Sequence, residues 1–267
     1  MGRLTAMGME AKLDLKEKIK PYYQDDYVTI YHGDCREVLQ YLPIKKIDAV
    51  ISDPPYGMDA NTDSTRFSGG KYGDGRRGQG KVWGKIRGDA KRFDPTPWVQ
   101  FPRVVLWGYN HFAQRVKTGT VLIWLKRNDR LFGTFLSDAE LAWMKGGYGV
   151  YAFRKEFPPP VRAIETGGNP CNPVTVHPTQ KPLGLMGWCI DKAKIPYGGL
   201  ILDPFMGSGT TLRAAKNIGR RAIGIEIEER YCEIAAKRMR QEVLNFSNGE
   251  SGRRRGCNEV WPEKELF

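Results

Sequence analysis

The chain has 267 residues, 40% of them apolar, and 42 Lys or Arg against 30 Asp or Glu give it a formal net charge of +12. This length suits one large α/β domain, or one domain with a small appendage. No apolar run approaches the ~20 residues of a membrane span, and the charged first residues lack the apolar stretch of a signal peptide. We therefore expect a soluble cytoplasmic protein without a membrane partner. Its positive charge fits either a nucleic-acid partner or a solvated basic surface.

The first predicted elements form a strand–helix–strand unit after a polar lead-in over residues 1–26. A buried strand is predicted for 27–34, a short amphipathic helix for 35–43 and a second strand for 47–53. Because a helix joins the two strands, we expect them to pair in parallel.

Residues 57–98 interrupt this pattern with a long segment that is rich in Gly, Arg and Lys. A loop of this length is either functional or disordered. Its basic residues are interleaved with Phe67, Tyr72 and Trp83, a composition that suits contact with nucleic acid. The alternative is a linker without a binding role.

From residue 103 onwards the sequence returns to alternating strand and helix signals. The predicted elements are strands at 103–109 and 119–126, mixed and loop-rich residues at 127–176, a helix at 181–193, a strand, tight turn and helix over 199–219, a strand and long helix over 220–244, and a flexible basic tail over 247–267. This order is typical of an α/β fold with a parallel sheet.

The cysteines give no sign of a metal site or a disulfide framework. They are five in number, Cys35, Cys171, Cys189, Cys232 and Cys257, and no two have the CxxC spacing of a zinc site. We expect reduced thiols and no bound metal. None of the five stands beside a candidate base, so a cysteine nucleophile is not predicted.

The segment "VISDPPYGMD" (50–59) places an acid, two prolines and a tyrosine at the end of a predicted strand. Pro54 and Pro55 fix two φ angles and lack N–H groups, so the chain leaves the strand rigidly. A stiff turn would explain one proline. Asp53, two carbonyl groups and the ring of Tyr56 held together indicate a site that grips a ligand.

The segment "LILDPFMGSGTT" (200–211) is a predicted strand, a glycine turn and the start of a helix. Gly207 and Gly209 permit close approach of a ligand to the backbone, and the helix offers free N–H groups. The turn lacks the lysine and spacing of a P-loop, and Leu212 stands where a dinucleotide site has its third glycine. Glu226, at the end of the next strand, is placed to bind ribose hydroxyls. Together these features predict an adenosine-containing cofactor.

Three motifs in order, "DPPY", "HPTQKP" and "DPFMGSGTT", make residues 27–244 resemble the DNA amino-methyltransferases that use S-adenosylmethionine. Acid-Pro-Pro-Tyr before the glycine motif is similar to the circularly permuted beta class. The stretches "WGYNHFA" (107–113) and "SDAELAW" (137–143) resemble small phage methylases. The resemblance implies a Rossmann-like, doubly wound sheet in a domain over 27–246, with target-recognition insertions at 57–98 and 127–176.

The resemblance also implies roles for individual residues. The catalytic segment is Asp53, Pro54, Pro55 and Tyr56. The cofactor residues, besides Asp53, are Asp34 and Cys35 near the adenine ring, His177, Thr179, Gln180 and Lys181 over the methionine end, Asp203, Phe205, Gly207, Ser208, Gly209 and Thr210 in the turn, and Glu226 at the ribose. Asp34 is also placed to cap the helix that follows it.

The predicted reaction is methylation of an exocyclic amine on a base of double-stranded DNA. Asp53 and the carbonyl of Pro54 would each accept an amine hydrogen, which localises the nitrogen lone pair. Tyr56 would stack on the base, which must be flipped out of the duplex. In the family, DPPY goes mostly with adenine N6, so adenine is favoured. Cytosine N4, an inactive DNA-binding homologue and, less favoured by motif order, an RNA substrate stay open, as does a homodimer.

Overall fold

A computed structural model describes residues 19–59, 87–127, 132–133, 137–156, 161, 164–165 and 180–241. Most of the basic segment 57–98, much of 127–176 and the tail from 242 lie outside these residues. No helix in the described ranges is long and apolar enough to cross a membrane. The division of the chain into a lead-in, a domain over 27–246 and a tail stays a prediction.

The described residues form one mixed sheet of nine strands. They are β1 (Tyr23–Gln24), β2 (Val28–His32), β3 (Ala49–Ser52), β4 (Arg103–Trp107), β5 (Thr120–Leu125), β6 (Ala139–Met144), β7 (Val150–Arg154), β8 (Leu200–Asp203) and β9 (Arg221–Glu226). Their order in the sheet is β1-β2-β9-β8-β3-β4-β6-β5-β7. Strands β2, β9, β8, β3 and β4 run parallel, whereas β6 runs antiparallel to both β4 and β5.

Helices cover both faces of this sheet. The α-helices among the described residues are α1 (Cys35–Val38), α2 (Thr96–Val99), α3 (Tyr109–Phe112), α4 (Leu183–Lys192), α5 (Thr210–Asn217) and α6 (Glu229–Arg240). Successive side chains of a strand point to opposite faces, so Ile51 packs in the core with α4, α5 and α6, while Val50 packs in the core with α1, α2 and α3. The predicted doubly wound α/β fold is confirmed.

The parallel strands bring several acidic residues to one edge of the sheet. Strand β3 ends at Ser52, directly before Asp53, and β8 and β9 end at Asp203 and Glu226. Strand β2 ends at His32, two residues before Asp34. In a doubly wound sheet, ligands bind outside the carboxyl ends of the parallel strands, so the fold itself gathers these four carboxylates.

The structure corrects the strand pairing predicted for the first unit and adds detail to two other predictions. The strands of the first unit run parallel but do not pair, because β9 and β8 lie between β2 and β3. The mixed and loop-rich region 127–176 includes β6 and β7. Strand β7 is an edge strand with mostly exposed side chains, so it lacks the apolar alternation that marks a half-buried strand. The predicted helix 35–43 is the short α1 followed by a turn of 3₁₀ helix over Leu39–Tyr41.

Candidate active site

Asp53 lies at the centre of the site, where the chain leaves β3. The Tyr56 hydroxyl donates a hydrogen bond to one carboxylate oxygen of Asp53, and the ammonium group of Lys181 donates to the other. The Asp53 side chain is 19% exposed. The structure therefore unites the acid and the aromatic ring of the DPPY segment with a lysine from a motif that stands 128 positions later in the chain.

Lys181 also contacts a second carboxylate, that of Glu140 on β6. The Lys181 Nζ lies 3.0 Å from Glu140 Oε2, and Lys126 Nζ lies 3.0 Å from Glu140 Oε1. Burial alone would lower the pKa of Lys181, but the charges of Asp53 and Glu140 outweigh it and raise that pKa well above its usual value. Burial likewise opposes ionisation of Glu140, yet the two lysines bring its pKa down to about 2.

The pKa of Asp53 itself is raised, because burial outweighs the opposing attraction of Lys181. Burial and the charge of Asp53 raise the pKa of Tyr56 well above its usual value. The hydroxyl of Tyr56 therefore stays protonated and serves as a donor to the carboxylate.

The ring of Tyr56 is held in a narrow slot at the end of β4. It stacks on the exposed ring of His111, with centroids 4.8 Å apart and an interplanar angle of 12°. Gly108 has a φ of +79°, and a Cβ at this position would lie 2.0 Å from Tyr56 Cε1. The glycine thus provides both the left-handed backbone and the space that the ring occupies.

The glycine turn between β8 and α5 packs tightly against α6. Gly209 has a φ of +78°, and an added Cβ would lie 2.9 Å from the Cβ of Ala235. Gly207 also has a positive φ, of 51°. Its N–H donates to Glu226 Oε2 at 3.0 Å. The expected tight turn that opens a helix is present at the expected residues.

Glu226, the last residue of β9, binds the glycine turn through its side chain. Its second oxygen, Oε1, accepts from the N–H of Glu228 at 2.8 Å, and burial raises the pKa of its carboxyl group. Asp34 is close in space, because the N–H of Gly33 donates to the Glu226 carbonyl at 2.9 Å. Glu226 therefore connects the glycine turn to the Asp34 end of β2.

Asp34 caps α1, as its position in the sequence indicated. It accepts from the backbone N–H of Arg36 at 2.9 Å and from the guanidinium Nε at 3.0 Å. The hydrogen bonds with Arg36 lower the pKa of Asp34. Cys35 is buried at the first position of the helix, and this burial raises its pKa to about 11.

Asp203 joins two strands at the base of the site. Its Oδ1 accepts from Ser52 Oγ at 2.6 Å and from the N–H of Phe205 at 3.2 Å. The Asp203 side chain is buried, and this burial raises its pKa to about 6. Asp203 is thus a buried carboxylate that fixes β3 and the glycine turn relative to each other.

Arg238 of α6 supports the turn from behind. Its Nη1 donates to the Ser208 carbonyl at 2.8 Å and lies 3.3 Å from Thr210 Oγ1. The residue is 2% exposed, and burial lowers its pKa to about 10. Its Nη2 donates to the carbonyl of Glu165 at 3.3 Å, so the arginine links the glycine turn to Glu165.

One pocket connects the catalytic segment with the glycine turn. Its walls include Asp53, Gln180, Lys181, Phe205 and Gly207, among others. Gln180 is 5% exposed, and within the described part of the chain neither polar atom of its amide has a hydrogen-bond partner. Buried amides are normally paired, so this amide fits a polar ligand that would fill the pocket.

Most of the predicted site residues fall into two adjoining groups, while Pro54, Pro55 and Tyr56 follow Asp53 directly and Gly209 lies within the glycine turn. The pocket gathers Asp53, Gln180, Lys181, Asp203, Phe205, Gly207, Ser208 and Thr210. Asp34, Cys35 and Glu226 lie outside its walls but continue from it along the same edge of the sheet. His177 and Thr179 lie outside the described residues.

Ser52, Glu140 and Arg238 are among the residues of the site that sequence reasoning missed. Glu140 carried a usable signal, since it is a charged residue between apolar neighbours in "SDAELAW". Arg238 gave none, because basic residues are expected in the last turn of a helix.

The parallel strands of the sheet place a glycine turn after β8 and the acid-Pro-Pro-Tyr segment after β3, the arrangement that the resemblance to methyltransferases implies. A family model described as "DNA methylase" matches residues 155–237. The Type II methyltransferase M2.LlaDCHI of Lactococcus lactis subsp. cremoris is 29% identical over 255 residues, covering 82% of this chain and 92% of that protein. The Type II methyltransferase M2.DpnII of Streptococcus pneumoniae is 29% identical over 258 residues, covering 84% of this chain and 93% of that protein.

Among solved structures, the PvuII DNA methyltransferase, described as cytosine-N4-specific, has a TM-score of 0.51 and 17% identity. The match covers 86% of this chain and 91% of that one, and it shows a shared fold. The resemblance seen in the sequence is confirmed. The chain is similar over most of its length to DNA methyltransferases of the N6/N4 amino-methylating class, a family that uses S-adenosylmethionine.

Proposed function

We propose that the chain methylates the N6 amine of adenine in double-stranded DNA. The observation that carries this proposal is the position of Asp53, a carboxylate that shares one pocket with the glycine turn and the unpaired amide of Gln180. An amine placed at Asp53 would therefore face a cofactor held by the turn.

The chain's own residues would prepare the amine for attack. The Asp53 carboxylate accepts one amine hydrogen and the carbonyl of Pro54 accepts the other, so that the nitrogen lone pair is no longer shared with the ring. Pro54 and Pro55 hold this geometry before the substrate arrives, which avoids an ordering cost. S-adenosylmethionine supplies an electrophilic methyl group on its sulfonium.

We assign the cofactor to the cleft between the pocket and the Asp34 end of β2. The buried amide of Gln180 and the backbone of Ser208 would hold its methionine end. Glu226 and Asp34 would bind the ribose and adenine end, with the buried Cys35 behind. Each of these two carboxylates would keep its present backbone hydrogen bond and use its remaining lone pairs. His177 and Thr179 belong to this proposal through their motif, and Lys181 would line the methionine end with its aliphatic stem, while its ammonium group binds Asp53 and Glu140.

The target base would be flipped out of the duplex and stack on Tyr56. His111 now covers one face of that ring, and its side chain is exposed, so it can move aside for a base. We propose that the basic residues of 57–98 and the region 127–176 contact the DNA, within a domain over 27–246. The protein would act in the cytoplasm of a bacterial, archaeal or phage-infected cell, where a homodimer is a further possibility.

Two alternatives compete with this function. Cytosine N4 presents a similar amine, and a carboxylate accepts hydrogens from either base. An inactive DNA-binding homologue is disfavoured by the intact arrangement of Asp53, Tyr56 and Gly207.

Transfer of tritiated methyl groups from S-adenosylmethionine tests the activity. We expect incorporation into unmethylated duplex DNA by the wild type, at least about a hundredfold less by Asp53→Ala, and no inhibition by competing RNA. If the wild type binds DNA but transfers no label, the inactive homologue is the correct alternative. If RNA takes up the label instead, the substrate assignment is wrong.

A further inference from the structure

A cluster of four charged side chains surrounds the catalytic segment, and sequence motifs account for only two of them. Lys181 stands between the carboxylates of Asp53 and Glu140, and Lys126 binds the far oxygen of Glu140 at 3.0 Å. The Lys181 side chain is 5% exposed, and its Nζ lies 5.6 Å from the centre of the Trp107 ring. The two negative and two positive charges balance, so the cluster is neutral as a whole.

We propose that Lys181 is a positioning residue for Asp53, and that Glu140 holds Lys181 in place. This inference rests on the proposed methyltransferase function and adds a role for Glu140. The hydroxyl of Tyr56 fixes one oxygen of the Asp53 carboxylate, and Lys181 fixes the other. Each oxygen keeps a second lone pair, so the carboxylate is oriented and can still accept an amine hydrogen.

The charges that face Asp53 explain why it needs this partner. Tyr56, from the same segment, and Lys181, from the residues just before α4, both contact Asp53. Glu140 on β6 contacts the far side of Lys181, and Asp203 adds a negative charge at the end of β8. Without Lys181, the half-buried carboxylate of Asp53 would lie near those of Glu140 and Asp203 with no cation beside it. Nearby like charges favour uptake of a proton, and a protonated Asp53 would accept amine hydrogens poorly.

Glu140 serves a different purpose from Asp53 in this arrangement. A lysine side chain has several rotatable bonds, so one ion pair does not fix the position of its ammonium group. Glu140 supplies a second acceptor, and Lys126 fixes the Glu140 carboxylate in turn. Lys181 is thus held at two acceptors and above the face of an aromatic ring.

The direct test is the titration of the Asp53 carboxyl group, followed by NMR on protein with ¹³C-labelled aspartate carboxyl groups. The Asp53→Asn variant assigns the signal. We expect Lys181→Met, and the more polar Lys181→Gln if the first does not fold, to move the Asp53 midpoint upward by about one pH unit or more. The matched control is Lys216→Met, which removes a lysine in the last turn of α5 that is paired with Asp25 at 2.5 Å and does not contact Asp53. It should leave that midpoint unchanged.

Kinetics and calorimetry separate positioning from cofactor contact. Lys181→Met should move the acid limb of single-turnover methylation to higher pH, while affinity for S-adenosylmethionine stays within about threefold of wild type. Glu140→Gln keeps an acceptor for Lys181 and should retain most of the rate, whereas Glu140→Leu should lose about tenfold.

An unchanged Asp53 midpoint in the Lys181 variants would overturn the proposal. So would a loss of cofactor affinity with an unchanged pH profile, because Lys181 would then be a cofactor ligand. Equal methylation rates for Glu140→Gln and Glu140→Leu would show that Glu140 does not hold Lys181 in place. The NMR titration does not require turnover. A wild type that methylates nothing would therefore refute the proposed function, while the titration would still test whether Lys181 positions Asp53.

Discussion

Gly108 leaves room for the ring of Tyr56: a Cβ at residue 108 would lie 2.0 Å from Tyr56 Cε1, well inside van der Waals contact. The ring is not free to shift without cost, since its hydroxyl is bonded to Asp53. The glycine at the end of β4 therefore determines where the aromatic ring of the catalytic segment lies.

We predict that Gly108→Ala lowers methyl transfer by about 10²-fold, because small displacements of reacting groups are costly. Its positive φ adds backbone strain. Cofactor affinity, measured by calorimetry, should change little, since the glycine turn is untouched. Gly198→Ala is the matched control, because Gly198 also has a positive φ but no heavy atom within 4 Å of an added Cβ. Equal rates for Gly108→Ala and the control would show that the position of the ring is unimportant.

Removal of the central carboxylate should separate catalysis from cofactor binding. Asp53→Ala is expected to lower turnover by about 10²–10³-fold or more, the usual cost of losing one preorganised hydrogen-bond partner. Affinity for S-adenosylmethionine should survive, because the turn and Gln180 are unchanged. The two quantities are measured by single-turnover assay and by calorimetry. Parallel loss of both would contradict the catalytic role of Asp53.

The buried arginine behind the turn should matter for cofactor affinity rather than for chemistry. Arg238→Met leaves the Ser208 carbonyl without its donor at 2.8 Å. We expect cofactor affinity to fall by about tenfold, which corresponds to ~1.4 kcal/mol, with a smaller effect on the rate at saturating cofactor. Arg240→Met, an exposed arginine on the same helix, is the control. Unchanged affinity in Arg238→Met would mean that the turn holds its shape without this support.

Asp203 should make the stability of the protein depend on pH. Its pKa is raised by burial to about 6 from an ordinary 3.8, so the folded chain binds this proton more tightly than the unfolded chain does. This stabilising contribution is complete below about pH 4 and is lost as pH rises to about 6. Asn at this position keeps an acceptor for Ser52 and carries no charge.

We therefore predict that Asp203→Asn is more stable than wild type above pH 6, by up to ~3 kcal/mol, and that the difference shrinks toward pH 4.5. Urea unfolding across this pH range measures it. A difference that does not depend on pH would show that the buried Asp203 does not titrate in this way.

The sequence was sufficient for the parts of the site that lie on continuous motifs. DPPY and the glycine turn identified Asp53, Tyr56 and Gly207 because each motif is a local strand-to-turn structure with distinctive residues. The sequence did not reveal contacts between segments that are distant in the chain. The pairing of β2 with β9 joins residues nearly two hundred positions apart, and a strand–helix–strand pattern does not reveal what inserts between its strands.

The same limit applies to Glu140 and Arg238. Glu140 becomes part of the site only because β6 runs antiparallel beside β4, in a region whose mixed composition gives a weak strand signal. Arg238 has an ordinary position in the last turn of its helix, and its burial follows from packing between α5 and the segment before α4. Tertiary packing, rather than local pattern, gives these residues their place in the site.

The most direct test of the central claim is mass spectrometry of nucleosides. Unmethylated DNA is incubated with the protein and S-adenosylmethionine, digested, and compared with an Asp53→Ala control. The account predicts N6-methyladenine in the wild-type reaction only. N4-methylcytosine would contradict the assigned base while keeping the mechanism at Asp53, and no methylated base despite measurable cofactor binding would contradict the methylation of DNA.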